Sequence, residues 1–227
     1  MSINRTESIT CPKCGKESPF TIWQSVNTDL DPEIREAVKD LSIFRFTCPG
    51  CGYTANVDYD FLYHQMRDKI MIQYSASDES AENAKAMFSI EKMPEPMKQL
   101  FGNIFQDNYL FRIVRSQNEL REKIEIFDAG LDDRIIEIYK TFLLVNVSGQ
   151  FPNAKEIDLF FLQIDGKNLI QVLADGKPAG TAEINTEIYE GLEKDFKSRL
   201  PDIRNDDPMI NRDYAFRCFA LMDEKKE

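Results

Sequence analysis

Two short segments decide how this chain folds: Cys11-Pro12-Lys13-Cys14-Gly15 and Cys48-Pro49-Gly50-Cys51-Gly52. Both follow the pattern Cys-Pro-x-Cys-Gly. Two residues between the cysteines let one tight turn present both sulfurs to the same ion, at about 2.3 Å if that ion is zinc. The glycine after the second cysteine suits a turn that ends at positive φ. The duplicated pattern therefore predicts one tetrahedral site with four thiolate ligands: Cys11, Cys14, Cys48 and Cys51.

The chemistry of this ligand set favours one structural zinc ion. Four thiolates fill a tetrahedral shell, whereas a catalytic zinc keeps one position open for water. A single redox-active iron suits the same set, but nothing else in the sequence suggests electron transfer, so iron is disfavoured. A thiol–disulfide oxidoreductase would place one Cys-x-x-Cys pair at the N-terminus of a helix. Both pairs here follow strand-like segments, which argues against that chemistry.

The spacing of the two pairs predicts an insertion. Residues 15–47 separate them, more than the ~15–20 residues of a compact ribbon. Strands are predicted on both sides of each pair. Between them, Asp31-Pro32-Glu33 predicts the start of a short helix, with Asp as the cap, Pro in the first turn and Glu at the positive end. We therefore expect a zinc ribbon with an inserted helix. Residues 75–81 are small and polar, and predict a loop.

The rest of the chain predicts helices followed by a β-meander. Residues 109–114 alternate like a strand, and helices are expected over 117–127 and from Asp132 onward. Asp165-Gly166 and Asp175-Gly176 predict tight turns between three strands. A helix is expected from Thr186 to Pro201, and a last strand over 214–221. The fold class is therefore α+β: an N-terminal zinc ribbon with a helical insertion, a helical segment, and a C-terminal antiparallel meander plus helix.

Together with the cysteine segments, several other short motifs of this chain resemble those of the CpXC-domain family, whose members have no assigned activity. These motifs are Asp31-Pro32-Glu33, Tyr63-His64 and the segment from Glu122 to Arg134, which reads Glu-Lys-Ile-x-Ile-Phe-x-x-Gly-Leu-Asp-Asp-Arg. The resemblance covers roughly residues 8–140 and implies metal binding through the four cysteines. It leads us to expect a CpXC-like domain over residues 1–148 and a separate small α+β module over 149–227.

The net charge of the chain limits the classes of partner that it is expected to bind. The chain carries 28 basic and 39 acidic side chains, a net charge of −11. Nucleic-acid binding depends on basic side chains that neutralise phosphates, so nucleic acid is a disfavoured partner and another protein is the expected one. The same reasoning argues against an anionic membrane surface. Residues 1–7 have no apolar stretch of the kind that signal peptides contain, and no run is long enough to span a membrane, so a cytoplasmic location is expected. Five cysteines in a reducing compartment fit metal binding better than disulfides.

The remaining candidate residues have ordinary interpretations. His64 is the sole histidine and is expected to hydrogen-bond rather than catalyse, because triads and most hydrolytic zinc sites need histidine partners that this chain lacks. Asp132 and Asp133 are expected as carboxylates at a helix N-terminus. Cys218, between two phenylalanines, is expected in the core. No catalytic or cofactor-binding constellation is recognised. The function predicted is a zinc-binding interaction or scaffold module; the alternatives are a nucleic-acid-binding ribbon and an enzyme with an unrecognised carboxylate site.

Overall fold

The computed structural model describes residues 2–88, 109–197 and 207–223. Its internal contacts divide the chain into two compact units: Met1–Arg121 with Arg204–Pro208, and Glu122–Ile203 with Met209–Glu227. We call these the first and the second unit. Both contain helices and strands, which confirms the α+β class. The expected boundary between a domain over residues 1–148 and a module over residues 149–227 is a different division of the chain, and it stays a prediction.

A mixed sheet of five strands forms the base of the first unit, in the order β1-β2-β5-β6-β7. The strands are Ile3–Thr10 (β1), Glu17–Asn27 (β2), Phe61–Gln65 (β5), Ile70–Tyr74 (β6) and Leu110–Val114 (β7). β1–β2 and β5–β6 are antiparallel, and β2–β5 and β6–β7 are parallel. The sequence does not predict β5, whose apolar residues do not alternate with polar ones. Phe61 and Tyr63 are fully buried, as expected for a strand inside a mixed sheet.

The second cysteine pair lies in a separate two-stranded sheet, formed by β3 (Arg45–Thr47) and β4 (Thr54–Asn56). The segment between β2 and β3 forms a 3-10 turn at Pro32–Ile34, α1 (Arg35–Lys39) and a 3-10 turn at Ser42–Phe44. The inserted helix is thus confirmed, with Pro32 in its first turn. Asp31 takes the expected N-cap position, but its side chain makes no capping bond and instead accepts a hydrogen bond from the Ser2 hydroxyl.

The loop expected over residues 75–81 is also wrong beyond Ser77. Helix α2 spans Asp78–Met87, and the Ser77 hydroxyl accepts a hydrogen bond from the backbone N–H of Ser80 at 3.1 Å. Serine and aspartate favour both turns and helix N-termini. The small polar residues of this segment therefore mark a helix start, which composition alone does not distinguish from a loop.

The second unit combines a three-stranded meander with helices. Its elements are the end of α3 (Gln117–Asp128), α4 (Asp133–Ser148), β8 (Ile157–Ile164), β9 (Lys167–Ala174), β10 (Lys177–Glu183), α5 (Thr186–Lys197) and α6 (Arg212–Asp223). The sheet order is β10-β9-β8, and both contacts are antiparallel. Pro201, the expected end of α5, lies outside the described residues. The core includes Ile135 and Ile138 of α4, Phe161 of β8 and Ile170 of β9, all fully buried.

The two tight turns of the meander are confirmed. Asp165 and Gly166 have φ values of 50° and 75°, and Asp175 and Gly176 have 49° and 72°. Positive φ at both central residues is typical of the type I′ hairpin turn, which Asp-Gly favours. These four residues thus set the lengths of the three strands.

The strand expected over residues 214–221 is wrong, because this segment belongs to α6. The side chain of Asn211 accepts a hydrogen bond from the backbone N–H of Tyr214 at 3.1 Å and so begins the helix. Tyr214, Ala215 and Cys218 are buried, at the spacing of one helix face. Burial of Cys218 in the core is confirmed. Within the described ranges, no helix has the length and apolar composition needed to cross a membrane.

Candidate metal centre

The first cysteine turn joins β1 to β2. The backbone N–H of Cys11 donates to the carbonyl of Lys16, and the N–H of Gly15 donates to the carbonyl of Cys11, both at 2.9 Å. Gly15 has φ of 72°, a conformation that costs a residue with a Cβ roughly 1–2 kcal/mol. The turn therefore requires the glycine that the sequence pattern places there.

The second cysteine turn joins β3 to β4 and repeats the same hydrogen bonds. The N–H of Cys48 donates to the carbonyl of Tyr53 at 2.8 Å, and the N–H of Gly52 donates to the carbonyl of Cys48 at 3.0 Å. Gly52 has φ of 68°. Equivalent residues of the two motifs thus occupy equivalent positions in two equivalent turns.

The two turns bring all four sulfur atoms together. The Sγ atoms of Cys11 and Cys51 lie 3.7 Å apart, those of Cys14 and Cys48 lie 3.6 Å apart, and all four lie within 4.8 Å of one another. A tetrahedron with metal–sulfur bonds of about 2.3 Å has its sulfurs roughly 3.8 Å apart. The four cysteines therefore form a group that could hold one metal ion.

An apolar shell surrounds half of this group. Cys11 and Cys48 are each 1% exposed and pack with Phe46, while Cys14 is exposed at the surface. Ile9, Phe20, Tyr53 and Val57 are partly buried against the same cluster. Each turn therefore contributes one buried and one more accessible sulfur. We call the two hairpins that carry the cysteine turns, β1–β2 and β3–β4, the ribbon. A bound ion would lie at the edge of the ribbon, with its ligands held by the core on one side.

The thiols of the site differ in acidity. The backbone N–H of Gly50, which lies 3.4 Å from the Sγ of Cys48, lowers the pKa of Cys48 to about 6. The N–H of Lys16 favours the thiolate of Cys14, but hydrogen bonds with the sulfurs of Cys48 and Cys51 outweigh it and raise the pKa of Cys14 to about 12. A divalent cation favours the thiolate form at all four sulfurs, so metal binding would release protons here.

Comparison with known proteins assigns the family. The family model described as CpXC protein matches residues 9–140, more than half of the chain. The chain belongs to the CpXC family. No curated protein and no solved structure matches it. The matched segment of this CpXC protein contains both cysteine turns and continues through α3 into α4.

The histidine of this CpXC protein lies in β5 and has polar neighbours. Its Nε2 lies 3.1 Å from the hydroxyl of Tyr109, and its Nδ1 lies 3.4 Å from the side-chain nitrogen of Asn27. Burial lowers the pKa of His64, which favours the neutral ring. Among the described residues, the group that could hold a metal consists of the four cysteines and does not include His64. The hydrogen-bonding contacts expected of His64 are therefore present, and the absence of a catalytic role stays a prediction.

The two aspartates at the start of α4 separate into different roles. Asp132 caps the helix: its Oδ1 accepts from the backbone N–H of Arg134 at 3.0 Å. Its carboxylate also pairs with the Arg134 guanidinium, with bonds of 3.0 and 2.6 Å. This pairing raises the pKa of Arg134. Asp133 is the first residue of α4, so the helix N-terminus expected for both carboxylates is confirmed, but its side chain is 1% exposed and lies in the interior.

Asp133 belongs to a buried set of charges that sequence reasoning missed. We call it the charge cluster; its members are Glu122, Lys123, Asp133, Glu137 and Lys140. The Nζ of Lys123 lies 3.0 Å from Asp133 and 3.4 Å from Glu137. The Nζ of Lys140 lies 2.8 Å from Glu122 and 3.0 Å from Glu137. Inside the second unit, two ammonium groups thus form ion pairs with three carboxylates.

The electrostatics of the charge cluster follow from its burial. Burial raises the pKa of Glu122, although its Oε1 also accepts a hydrogen bond from the backbone N–H of Phe161 at 2.6 Å. Burial by itself lowers the pKa of Lys140, but the charges of Glu122 and Glu137 reverse this and raise it. The sequence does contain a pattern that indicates this cluster: polar residues recur every four positions at Asp133, Glu137 and Thr141. In the structure all three are buried. Such a stripe lies on one helix face.

Proposed function

We propose that Cys11, Cys14, Cys48 and Cys51 hold one zinc ion with a structural role, and that this CpXC protein is a cytoplasmic module that binds another protein. The observation that carries the zinc proposal is the group of four sulfurs, whose spacing fits the tetrahedral thiolate set that structural zinc prefers. Zinc would add a direct link between two turns that also share the small apolar cluster of Cys11, Phe46 and Cys48.

The ligand chemistry supports a structural rather than a catalytic ion. Four thiolates would satisfy a tetrahedral ion and leave no position for water or substrate. A single iron fits the same sulfurs, but zinc needs no electron-transfer partner and is the simpler occupant.

An exposed apolar surface on the second unit supports a protein partner. Phe142 and Val145 of α4 are 47% and 77% exposed, and Phe216 of α6 is 52% exposed. Phe142 packs edge-on against Phe219, one turn along α6 from Phe216, with ring centroids 5.2 Å apart. We call these four residues the apolar patch. Adjoining exposed apolar side chains are typical of protein-binding surfaces, and the net charge of −11 favours a partner with a basic rim.

The observation that best supports the alternative function, an enzyme, is a cavity lined by charged and polar side chains. A polar cavity of about 310 Å³ in the first unit is lined in part by Asp58, Tyr74, Arg115 and Gln117. Its charged groups are already engaged, however. Asp58 accepts hydrogen bonds from Tyr74 at 2.9 Å and from Gln117 at 2.7 Å, and Arg115 pairs with Asp78 at 2.7 Å. We therefore place the binding proposal ahead of the enzymatic one.

The metal proposal is tested by cobalt substitution. The cobalt-loaded protein should show the intense absorption of thiolate–cobalt bonds, and Cys48→Ser should reduce or abolish it, because one of the four thiolates is lost. Cys218→Ala removes a thiol from the core of the second unit and should leave the spectrum unchanged. Metal analysis of the native protein should give one zinc per chain. A cobalt spectrum that does not change in Cys48→Ser would refute the site.

The binding proposal is tested at the apolar patch. Val145→Asp should abolish recovery of a partner that co-purifies with the chain from its native cells, because it places a charge in the contact surface. Asn146→Asp adds the same charge one position along α4, where the wild-type side chain is polar and exposed, and should retain the partner. Binding must then be reproduced with the two purified proteins. A partner retained equally by both variants excludes the patch. Salt-sensitive retardation of DNA or RNA would instead support the nucleic-acid alternative.

A further inference from the structure

The first strand of the chain is an open sheet edge. β1 pairs with β2 on one side, and among the described residues no strand pairs with its other side. All eight of its residues except Ile9 are exposed. An edge of this length presents a row of backbone N–H and C=O groups that another strand can bind.

Two other edge strands, β7 and β10, are protected in ways that β1 is not. β7, at the opposite edge of the same sheet, is almost wholly buried. β10, at the edge of the meander, contains Pro178 and has a register irregularity between Pro178 and Gly180. Proline and irregular register both hinder edge-to-edge pairing. β1 contains neither a proline nor a lysine, and its sequence Ile-Asn-Arg-Thr-Glu-Ser-Ile-Thr favours a strand. The register irregularity in its pairing with β2 lies at its start, between Ile3 and Asn4, and Asn4 to Thr10 pair regularly.

The side chains of β1 are arranged symmetrically about Thr6. Alternate residues of a strand share a face, so Ile3, Arg5, Glu7 and Ile9 lie on one side. Arg5 and Glu7 flank Thr6 with opposite charges, and Ile3 and Ile9 flank that pair with similar apolar side chains. Within one chain the Arg5 Nε lies 2.6 Å from the Glu7 Oε1, at side-chain exposures of 55% and 47%. Both charges are therefore on the surface and available to a neighbour.

This symmetry selects one way of pairing with a second copy. Two identical edges pair antiparallel about a twofold axis perpendicular to the sheet, which places residues of the same face opposite each other. An axis at Thr6 puts Arg5 opposite Glu7 of the second copy, and Ile3 opposite Ile9 of the second copy. An axis at Arg5 or at Glu7 puts like charges opposite each other, which is unfavourable. Only the register centred on Thr6 makes both charge pairs attractive.

We propose that two copies of this chain associate through β1, antiparallel and centred on Thr6, so that their five-stranded sheets become continuous. The backbone hydrogen bonds provide the attraction, and the charge pairs of Arg5 with Glu7 set the register. This association goes beyond the proposed function and involves neither the apolar patch nor direct contact with the metal. β1 leads directly into Cys11, so zinc content is measured in every variant.

Charge reversal tests the association. Sedimentation analysis of the zinc-loaded full chain without an N-terminal tag should show a monomer–dimer equilibrium. Arg5→Glu and Glu7→Arg should each weaken dimerisation by roughly tenfold or more, because two attractive pairs become repulsive. The double variant Arg5→Glu/Glu7→Arg restores opposite charges and should dimerise like the wild type. Lys85→Glu reverses one charge of an exposed helical pair with Glu82 and should have no effect.

A crosslink tests the register without changing any charge. In Thr6→Cys the introduced thiols face each other across the axis, within the distance at which a disulfide forms. In Ser8→Cys the introduced thiol faces Asn4 of the second copy. Thr6→Cys should therefore give a dimer on non-reducing gels and Ser8→Cys should not. A wild-type chain that stays monomeric at high concentration overturns the proposal, as does equal crosslinking of the two variants. Loss of dimer with one zinc still bound per chain leaves the metal proposal intact.

Discussion

Removal of the metal from the four cysteines should unfold the ribbon of the first unit and leave the second unit folded. Zinc binding contributes on the order of 10–16 kcal/mol in small modules, against a total stability of roughly 5–15 kcal/mol for a typical domain. The apolar cluster under the site is small, with Cys11, Phe46 and Cys48 as its buried members. Without the ion, two of these three would be thiols with no bond to hold them, so we expect the cluster to open.

The chain provides its own probe for this experiment. Trp23, the single tryptophan, lies in β2 of the first unit. Treatment with a strong chelator should shift its emission toward that of an exposed indole, and added zinc should reverse the shift. Hydrogen exchange should increase in β1 to β4, while α4 and β8 keep their protection. Cys48→Ser should resemble the chelated protein, and Cys218→Ala should not. Equal protection of the ribbon with and without metal would show that zinc is dispensable for this fold.

Loss of Lys123 should destabilise the second unit by about 3–5 kcal/mol, because removing one partner of a buried ion pair leaves buried negative charge with less compensation. Lys123 is 2% exposed and lies 3.0 Å from Asp133 and 3.4 Å from Glu137. Lys123→Met keeps most of the side-chain volume and removes the ammonium group. Asp133 and Glu137 would each lose a contact with a buried ammonium group, so the loss is electrostatic and does not come from a cavity.

The matched control is an exposed pair in the same unit. Lys167 and Glu183 lie 3.5 Å apart at side-chain exposures of 63% and 62%, and such pairs contribute about 0–1 kcal/mol. Urea unfolding followed by far-UV circular dichroism should therefore give a much lower midpoint for Lys123→Met than for Lys167→Met. Adding Asp133→Asn and Glu137→Gln to Lys123→Met removes the two carboxylate charges that Lys123 contacts and should recover part of the loss. Equal midpoints for the two single variants would contradict the assignment.

Several elements could be predicted because the interactions that form them are local. Each cysteine turn closes through hydrogen bonds between residues no more than five apart, such as Gly52 to Cys48. The Asp-Gly turns of the meander and the Asp132 cap of α4 depend on short segments in the same way. Segments whose residues suit two structures were predicted wrongly. Residues 78–81 begin a helix instead of continuing a loop. The aromatic segment 214–221 is helical, since burial of one face outweighs strand propensity there.

The group of four cysteines, the glycines that end their turns and the α+β class followed from residue order alone, because a Cys-Pro-x-Cys-Gly turn carries its geometry within itself. Tertiary structure decided how distant parts meet. It brought the Sγ of Cys14 to 3.6 Å from that of Cys48, and it enclosed Lys123 between carboxylates of α4. It also placed β1 at the end of the five-stranded sheet, with β2 as its one neighbour among the described strands. Burial and exposure depend on which surfaces pack together over long separations, and no local pattern specifies them.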